Sequence, residues 1–254
     1  STNSEVLFMY KTIADKIVVL GEPIGNEEEI DLAIEEFKHK ADSYGMTVIF
    51  YQIGKENMSR YHEKGYHFFK LGEESMVNLN EFSLSGKRAS NLRNQLNKFT
   101  KLGFTFEVIQ PPYTPEIIAE LRDVSIEWLG NRKEKGFSLG FFSEEYLQKS
   151  PIAILRDEKQ QIVAFANLTP AYDSRTTLSL DLMRYKKDAP IGTMDVLFCR
   201  ILEWSKNEEY QWFSLRMAPL ANVGNSKFSF LSEKTAYKFF TYGSSLYGFS
   251  GLKR

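Results

Sequence analysis

The chain has 254 residues, of which 43% are hydrophobic and 26% are charged, and this composition is typical of a packed globular protein. Lys and Arg total 32 and Asp and Glu total 33, so the net charge of −1 argues neither for nor against a nucleic-acid partner. The single cysteine, Cys199, excludes an intrachain disulfide and fits a reducing compartment.

The sequence lacks the common motifs of metal and nucleotide sites. Its 3 histidines have neither HExxH spacing nor cysteine partners, so we predict no metal site. Neither GxGxxG nor GxxxxGKS/T is present, which removes the commonest dinucleotide and nucleotide-phosphate sites, and we predict no cofactor. No apolar run approaches the roughly 18 residues needed to cross a bilayer.

In the first part of the chain, short β-branched runs alternate with helical patterns. Asn26 is a good N-cap ahead of a run of glutamates, and apolar residues recur at helical spacing until Gly45, which predicts a helix between these two residues. We predict a second, short helix at 57–64 and strands at 16–20, 46–53, 66–71 and 75–79.

A basic segment follows, because no acidic residue occurs between Glu81 and Glu107. Apolar residues within it repeat at helical spacing, which predicts a helix with one apolar seam and a basic outer surface. This helix is either a solvated connection or a phosphate-binding surface for tRNA or anionic lipid. Its apolar residues are Ala89, Leu92, Leu96 and Phe99, and its basic residues are Lys87, Arg88, Arg93, Lys98 and Lys101.

From residue 112 the α/β alternation repeats. Thr114, Pro115 and Glu116 form a helix N-terminus, so we predict a helix to about Leu129. Its predicted buried stripe consists of Ile117, Leu121, Val124 and Trp128. We predict strands at 151–155, 161–168, 177–182 and 211–215, and helices at 193–207 and 232–240.

The segment 179–195 reads as a strand end, a loop with Pro190 and Gly192, and a helix N-terminus, which together expose backbone N–H groups to an anion. Asp181 stands where a core strand prefers an apolar residue, so we expect it to be paired, with Arg184 as the nearest cation. This pair is either part of a site or purely structural. Asp195 either contacts substrate or complements the helix dipole.

A second cluster lies at 131–142, where cations alternate with aromatic residues and glycines. This pattern suits a loop that lines a groove for a nucleotide end or an acyl chain.

Several short strings in fixed order carry a resemblance. They are GFSLG at 136–140, DLMR at 181–184, GTMD at 192–195, MAPL at 217–220 followed by NVG at 222–224, and GFSGL at 248–252. With these strings, most of the chain resembles the C-terminal domain of bacterial phosphatidylglycerol lysyltransferases, the multiple peptide resistance factor family.

The resemblance implies an α/β (α+β) fold in which tandem acetyltransferase-like (GNAT) domains with mixed central sheets are joined by the basic helix. The first domain is expected at 1–82, the connecting helix and strand at 83–111, and the second domain at 112–254. The resemblance also implies that the chain is a piece of a longer protein, truncated in both domains. The longer protein would carry an N-terminal transmembrane domain and place this part at the cytoplasmic face of the bacterial cell membrane.

The activity that the resemblance implies is transfer of lysine from lysyl-tRNA to the glycerol hydroxyl of phosphatidylglycerol. The product, lysyl-phosphatidylglycerol, gives resistance to cationic antimicrobial peptides. The expected partners are aminoacyl-tRNA, phosphatidylglycerol and the membrane surface. The alternatives are alanyl-phosphatidylglycerol synthesis, a coenzyme A-dependent N-acetyltransferase, and a non-catalytic module that binds tRNA or anionic lipid. Gly192 lacks the second, closely spaced glycine of an acetyltransferase pyrophosphate loop.

The resemblance assigns catalytic roles to Asp181, against the substrate α-ammonium or the attacking hydroxyl, and to Arg184, against a phosphate or the developing oxyanion. It assigns substrate binding to Gly136, Phe137, Ser138, Gly192, Met194, Asp195 and Asn222. Tyr185 stands where the family pattern has histidine, and Arg216 where it has glycine. The implied phosphate-binding residues are Lys87, Arg88, Arg93, Lys98 and Lys101 on the basic helix, and Arg132 and Lys135 in the cluster at 131–142.

Overall fold

The structure is a computed structural model that describes residues 5–134, 136, 140–171, 176–219 and 221–224. The described residues form two compact units, divided after Gly72, with residues from Pro219 onward joining the first unit. This division falls before the boundary expected at residue 82, and the basic helix belongs to the second unit. The domain limits of the sequence analysis stay a prediction. The helix predicted at 232–240 lies outside the described residues.

The first unit contains short strands around one long helix. Strands β1 and β4 pair in antiparallel fashion, and β2, β3 and β5 form a three-stranded sheet in which β3 and β5 are parallel. Since parallel neighbours need a crossover, α1 connects β3 to β5. The elements are β1 Val6–Leu7, β2 Tyr10–Ile13, β3 Lys16–Leu20, β4 Ile24–Gly25, α1 Glu27–Ser43, β5 Thr47–Tyr51 and α2 Met58–Glu63.

The start of α1 confirms the N-cap prediction, because the Asn26 side chain accepts a hydrogen bond from the Glu28 N–H. Ile30 and Ile34 of this helix are buried and pack with Tyr61. The strand predicted at 66–71 is wrong, because this segment pairs with no strand and residues 67–70 are exposed. Aromatic composition alone supplies neither a partner strand nor a buried face.

The second unit is built on a six-stranded mixed sheet in the order β6-β11-β10-β9-β8-β7. The pairs β7–β8, β8–β9 and β9–β10 are antiparallel. Strands β10 and β11 are parallel, and α6 crosses between them. The predicted mixed α/β fold class is confirmed. The elements are β6 Gly72–Asn78, α3 Ser90–Lys101, β7 Thr105–Ile109, α4 Pro115–Leu129, α5 Glu144–Leu147, β8 Ile152–Arg156, β9 Ile162–Pro170, β10 Thr177–Tyr185, α6 Thr193–Asn207 and β11 Trp212–Pro219.

Helices cover both faces of this sheet. Alternate residues of β8 show the division, because Ala153 and Leu155 pack with α3 and α6, whereas Ile152 and Ile154 pack on the α4 side. In α4, Leu121 and Val124 are buried as predicted. Ile118 and Ser125 complete the stripe of α4, and the predicted members Ile117 and Trp128 are only half-buried.

Candidate active site

Asp181 lies in the middle of β10, and its side chain is 6% exposed. Its Oδ2 accepts a hydrogen bond from the Tyr146 hydroxyl at 2.6 Å, and its Oδ1 accepts one from the Gly140 N–H at 3.1 Å. A Cβ atom on Gly140 would lie 2.0 Å from Asp181 Oδ2, so only glycine permits this approach of backbone to carboxylate. The carboxylate is thus fixed by two neutral donors.

A β-bulge shapes the strand at this point. The pairing of β10 with β9 shifts register between Leu180 and Met183, and the Leu182 N–H donates instead to Asn167 Oδ1 at 2.6 Å. On a regular strand, residues three positions apart point to opposite faces. Because of the bulge, Asp181 and Arg184 both face the α4 side of the sheet, where Leu182 also packs.

Arg184 is 2% exposed and its guanidinium is bound on several sides. Its Nη1 and Nη2 donate to the two carboxylate oxygens of Glu134 at 2.8 Å each, and Nη1 also donates to the Ser125 hydroxyl. The guanidinium lies 5.0 Å from the ring centre of Trp128. The Arg184 hydrogen bonds hold the pKa of Glu134 below its ordinary value.

These contacts correct the expected pairing of Asp181 with Arg184, because Arg184 pairs with Glu134. The bulge puts the two residues on one face, but the guanidinium reaches toward α4 and the loop that follows it. Glu134 also accepts a hydrogen bond from the Phe142 N–H at 3.3 Å. Arg184 therefore holds the Glu134 carboxylate, which in turn binds the backbone at Phe142.

Arg216 on β11 is the cation beside Asp181. The parallel pairing of Ser179 with Ser214, continued along the strands, brings Arg216 alongside Asp181. Its Nε donates to the Leu180 carbonyl at 2.5 Å, and its Nη1 lies 3.9 Å from Asp181 Oδ1. Sequence reasoning noted Arg216 only as a departure from glycine, since no local pattern shows which strands become neighbours.

Tyr146 and Asn167 were also missed by sequence reasoning. Burial, followed by the hydrogen bond to Asp181, raises the pKa of Tyr146, so its hydroxyl is a donor at neutral pH. Asn167 is 0% exposed and its amide faces Tyr146. Within the part of the chain that the structure describes, Asn167 Nδ2 forms no hydrogen bond. A polar residue within the apolar strand β9 is the one sequence signal that marks this position.

The predicted anion-binding loop begins α6 as expected. Gly192 has φ +97°, and an added Cβ would lie 2.7 Å from Gln95 Oε1. Met194 is half-buried against the core and Asp195 is exposed. Within the described residues, Asp181 forms no hydrogen bond or ion pair with Gly192, Met194 or Asp195.

Two of the other predicted substrate residues lie at the surface. Gly136 is exposed, and Asn222 is exposed with φ +52°. Lys135, Phe137 and Ser138 lie outside the described residues.

Four residues of the predicted basic helix segment are exposed and form what we call the basic surface, namely Lys87, Arg88, Lys98 and Lys101. Among the described residues, none of these four forms an ion pair with a carboxylate. Arg93 differs, because its guanidinium donates to the carbonyls of Leu84 and Gly86. Arg132 folds back on α4 and lies 4.3 Å from the ring centre of Trp128.

Two adjoining cavities of about 330 Å³ and about 520 Å³ lie beside α6 and share Phe106 and Arg200 in their walls. Among the described residues, none that hydrogen-bonds or ion-pairs with Asp181 lines either cavity. In the described ranges, no group of three or more His, Cys, Asp or Glu side chains could hold a metal ion. Of the helices described, none is long and apolar enough to span a bilayer.

Comparison with known proteins gives one consistent result. The family model for the C-terminal region of phosphatidylglycerol lysyltransferase matches residues 1–254. The chain is 48% identical over 253 residues to phosphatidylglycerol lysyltransferase of Bacillus subtilis strain 168, covering 100% of this chain and 29% of that protein. It is 43% identical over 252 residues to the Staphylococcus aureus strain COL protein of the same name, covering 99% and 30%.

Two solved structures are similar over most of the chain. The structure of L-PGS from Bacillus licheniformis has a TM-score of 0.82 and 49% identity, covering 94% of this chain and 75% of that one. The C-terminal domain of a putative lysylphosphatidylglycerol synthetase from Agrobacterium fabrum has a TM-score of 0.80 and 36% identity, covering 86% and 70%. The chain spans about 30% of the length of the curated relatives it matches. It belongs to the phosphatidylglycerol lysyltransferase C-terminal family.

Proposed function

We propose that this chain carries the catalytic site of a phosphatidylglycerol lysyltransferase, which transfers lysine from lysyl-tRNA to phosphatidylglycerol. The observation that carries the proposal is the Asp181 carboxylate, fixed by the Tyr146 hydroxyl and the Gly140 N–H on a central strand. The relatives that match the whole chain are named for this reaction. The product would lower the negative charge of the membrane and so reduce its attraction for cationic antimicrobial peptides.

The proposed reaction exchanges one ester for another. The glycerol hydroxyl oxygen of the lipid attacks the carbonyl carbon of the aminoacyl ester and forms a new carbon–oxygen bond. The bond to the ribose oxygen breaks, and this leaving oxygen takes up the proton released by the glycerol hydroxyl and becomes the ribose hydroxyl. The protein must therefore hold two substrates in reacting geometry and assist one proton transfer.

In this scheme Asp181 binds the α-ammonium group of the aminoacyl ester. A carboxylate and an ammonium form a charge-assisted hydrogen bond, which is about twice as strong as a neutral one. The neutral donors Tyr146 and Gly140 orient the carboxylate without cancelling its charge. The aminoacyl group is then held beside β10.

Arg184 acts as a positioning residue in the same scheme. Its guanidinium is 2% exposed and donates to Glu134 and Ser125, so a phosphate or an oxyanion would have to displace an existing partner. Through Glu134 it fixes the loop after α4. That loop leads to residues 136–138, where the family resemblance places substrate contacts.

The basic surface is proposed to bind phosphates of tRNA or of anionic lipid. Lys87, Arg88, Lys98 and Lys101 are exposed, and exposed cations on one surface attract a polyanion in a salt-dependent way. This surface also supports placement of the chain at the cytoplasmic side of a membrane that contains phosphatidylglycerol.

The test is transfer of radiolabelled lysine from lysyl-tRNA into chloroform-extractable lipid, with phosphatidylglycerol in detergent micelles. We expect the parent chain to label the lipid and Asp181→Asn to do so roughly 10- to 150-fold more slowly, since a charged hydrogen bond contributes roughly 1.5–3 kcal/mol. Asp123→Asn is the matched control, because Asp123 is exposed on α4 and away from the cluster. Equal rates for both variants, with unchanged thermal unfolding, would overturn the assignment of Asp181.

A further inference from the structure

Arg216 has a backbone conformation that non-glycine residues rarely adopt. Its φ is +60°, in the left-handed region where a Cβ atom is unfavourable. Glycine would adopt this φ without strain. This chain carries a long cationic side chain there.

The Arg216 side chain lies beside the Asp181 carboxylate. Nε donates to the Leu180 carbonyl at 2.5 Å, and Nη2 donates to Thr169 Oγ1 at 3.4 Å. These bonds hold Nη1 at 3.9 Å from Asp181 Oδ1. The side chain is 41% exposed, so part of the guanidinium faces solvent and any group that approaches Asp181 from that side.

We propose that Arg216 is a specificity-determining residue that reduces the preference of the Asp181 site for aminoacyl groups with a second positive charge. The inference rests on the proposed aminoacyl transfer. An alanyl ester brings one ammonium group and a lysyl ester brings two. The α-ammonium is common to both esters. Its interaction with Asp181 and Arg216 therefore largely cancels when kcat/KM for the lysyl ester is divided by kcat/KM for the alanyl ester. The lysine ε-ammonium remains, and a fixed guanidinium in the same site repels it.

The test compares Arg216→Gly with the parent chain. Glycine removes the charge and also suits the left-handed backbone, so the variant is expected to fold at least as well. We expect the ratio of kcat/KM for lysyl-tRNA to that for alanyl-tRNA to rise about tenfold, in the range of one like-charge contact near a surface. Arg216→Lys keeps the charge and is expected to keep the parent ratio. Arg216→Asn, which is neutral and tolerates a left-handed φ, is expected to behave like Arg216→Gly.

Calorimetric binding of lysine methyl ester and alanine methyl ester provides a readout that needs no turnover. The ratio of the two affinities is expected to shift in favour of lysine in Arg216→Gly. If this shift occurs while the parent chain transfers neither amino acid, the proposed function fails and the charge role of Arg216 stands. An unchanged ratio overturns the inference. This includes the case in which the substitution weakens binding of both substrates equally, which is the result expected if Arg216 binds a phosphate. Failure of both esters to bind the parent also overturns it.

Discussion

The Gly140→Ala substitution tests the central feature of the site, the close packing of a loop against the Asp181 carboxylate. The added methyl carbon would lie 2.0 Å from Asp181 Oδ2 and 3.1 Å from Tyr146 Cε1. Atoms cannot remain this close, so either the carboxylate or the loop must move. In both cases the 3.1 Å hydrogen bond from the Gly140 N–H is lost or weakened.

A hydrogen bond to a charged group contributes about 1.5–3 kcal/mol. If the bond holds Asp181 for catalysis, its loss corresponds to a decrease in kcat/KM of roughly 10- to 150-fold. The lysine transfer assay measures this decrease. Thermal unfolding of the same variant measures the accompanying loss of stability, which we expect to be about 1–3 kcal/mol.

Gly45→Ala is the matched control for Gly140→Ala. No atom lies within 4 Å of a Cβ added to Gly45, but its φ of +66° makes alanine strained there. We expect a stability loss of about 1 kcal/mol with an unchanged transfer rate. A Gly140→Ala rate within twofold of the parent would refute the reasoning, since the position of the Asp181 carboxylate would then not matter for transfer.

Three further substitutions address the groups around Asp181. Tyr146→Phe removes one donor to the carboxylate, and we expect about a tenfold lower transfer rate with a stability change near 1 kcal/mol. Glu134→Gln weakens the pair with Arg184, and since 32% of the Glu134 side chain is exposed we expect a loss of only about 1–2 kcal/mol at neutral pH. Because the pKa of Glu134 is lowered, the parent should lose this advantage as the pH falls below the ordinary glutamate pKa of about 4.3, so unfolding curves of parent and variant converge there. Asn167→Leu leaves the backbone N–H of the β10 bulge without an acceptor, and chemical denaturation should show a loss of about 1–3 kcal/mol.

Local sequence signals predict the helix boundaries of this fold well. Asn26 caps α1, Thr114 and Pro115 begin α4, and α6 has the bounds that its apolar spacing predicts. These features depend on residues within one or two turns of each other, so a single sequence contains them. The same reasoning identified Asp181 as a carboxylate out of place on a core strand.

The contacts of the site were not predictable in the same way. The pairing of Arg184 with Glu134 depends on a bulge that no alternation pattern shows, and the approach of Arg216 to Asp181 depends on the parallel pairing of two strands joined by α6. The need for glycine at 140 comes from a carboxylate 41 positions away in the chain. Each of these is a long-range contact, which sequence spacing does not specify.

The two arginines nearest in sequence and in space to Asp181 show why burial must be known before a role is assigned. Arg184 follows Asp181 in the family string, but it is 2% exposed and satisfied by Glu134 and Ser125. Arg216 donates to the Leu180 carbonyl and the Thr169 hydroxyl, but its side chain is 41% exposed beside the carboxylate. A buried, ion-paired guanidinium cannot exchange its carboxylate partner for a substrate without leaving a buried charge unpaired, which is strongly unfavourable. A half-exposed guanidinium can respond to the charge of an incoming group, so Arg216, and not Arg184, is the cation able to alter what the site accepts.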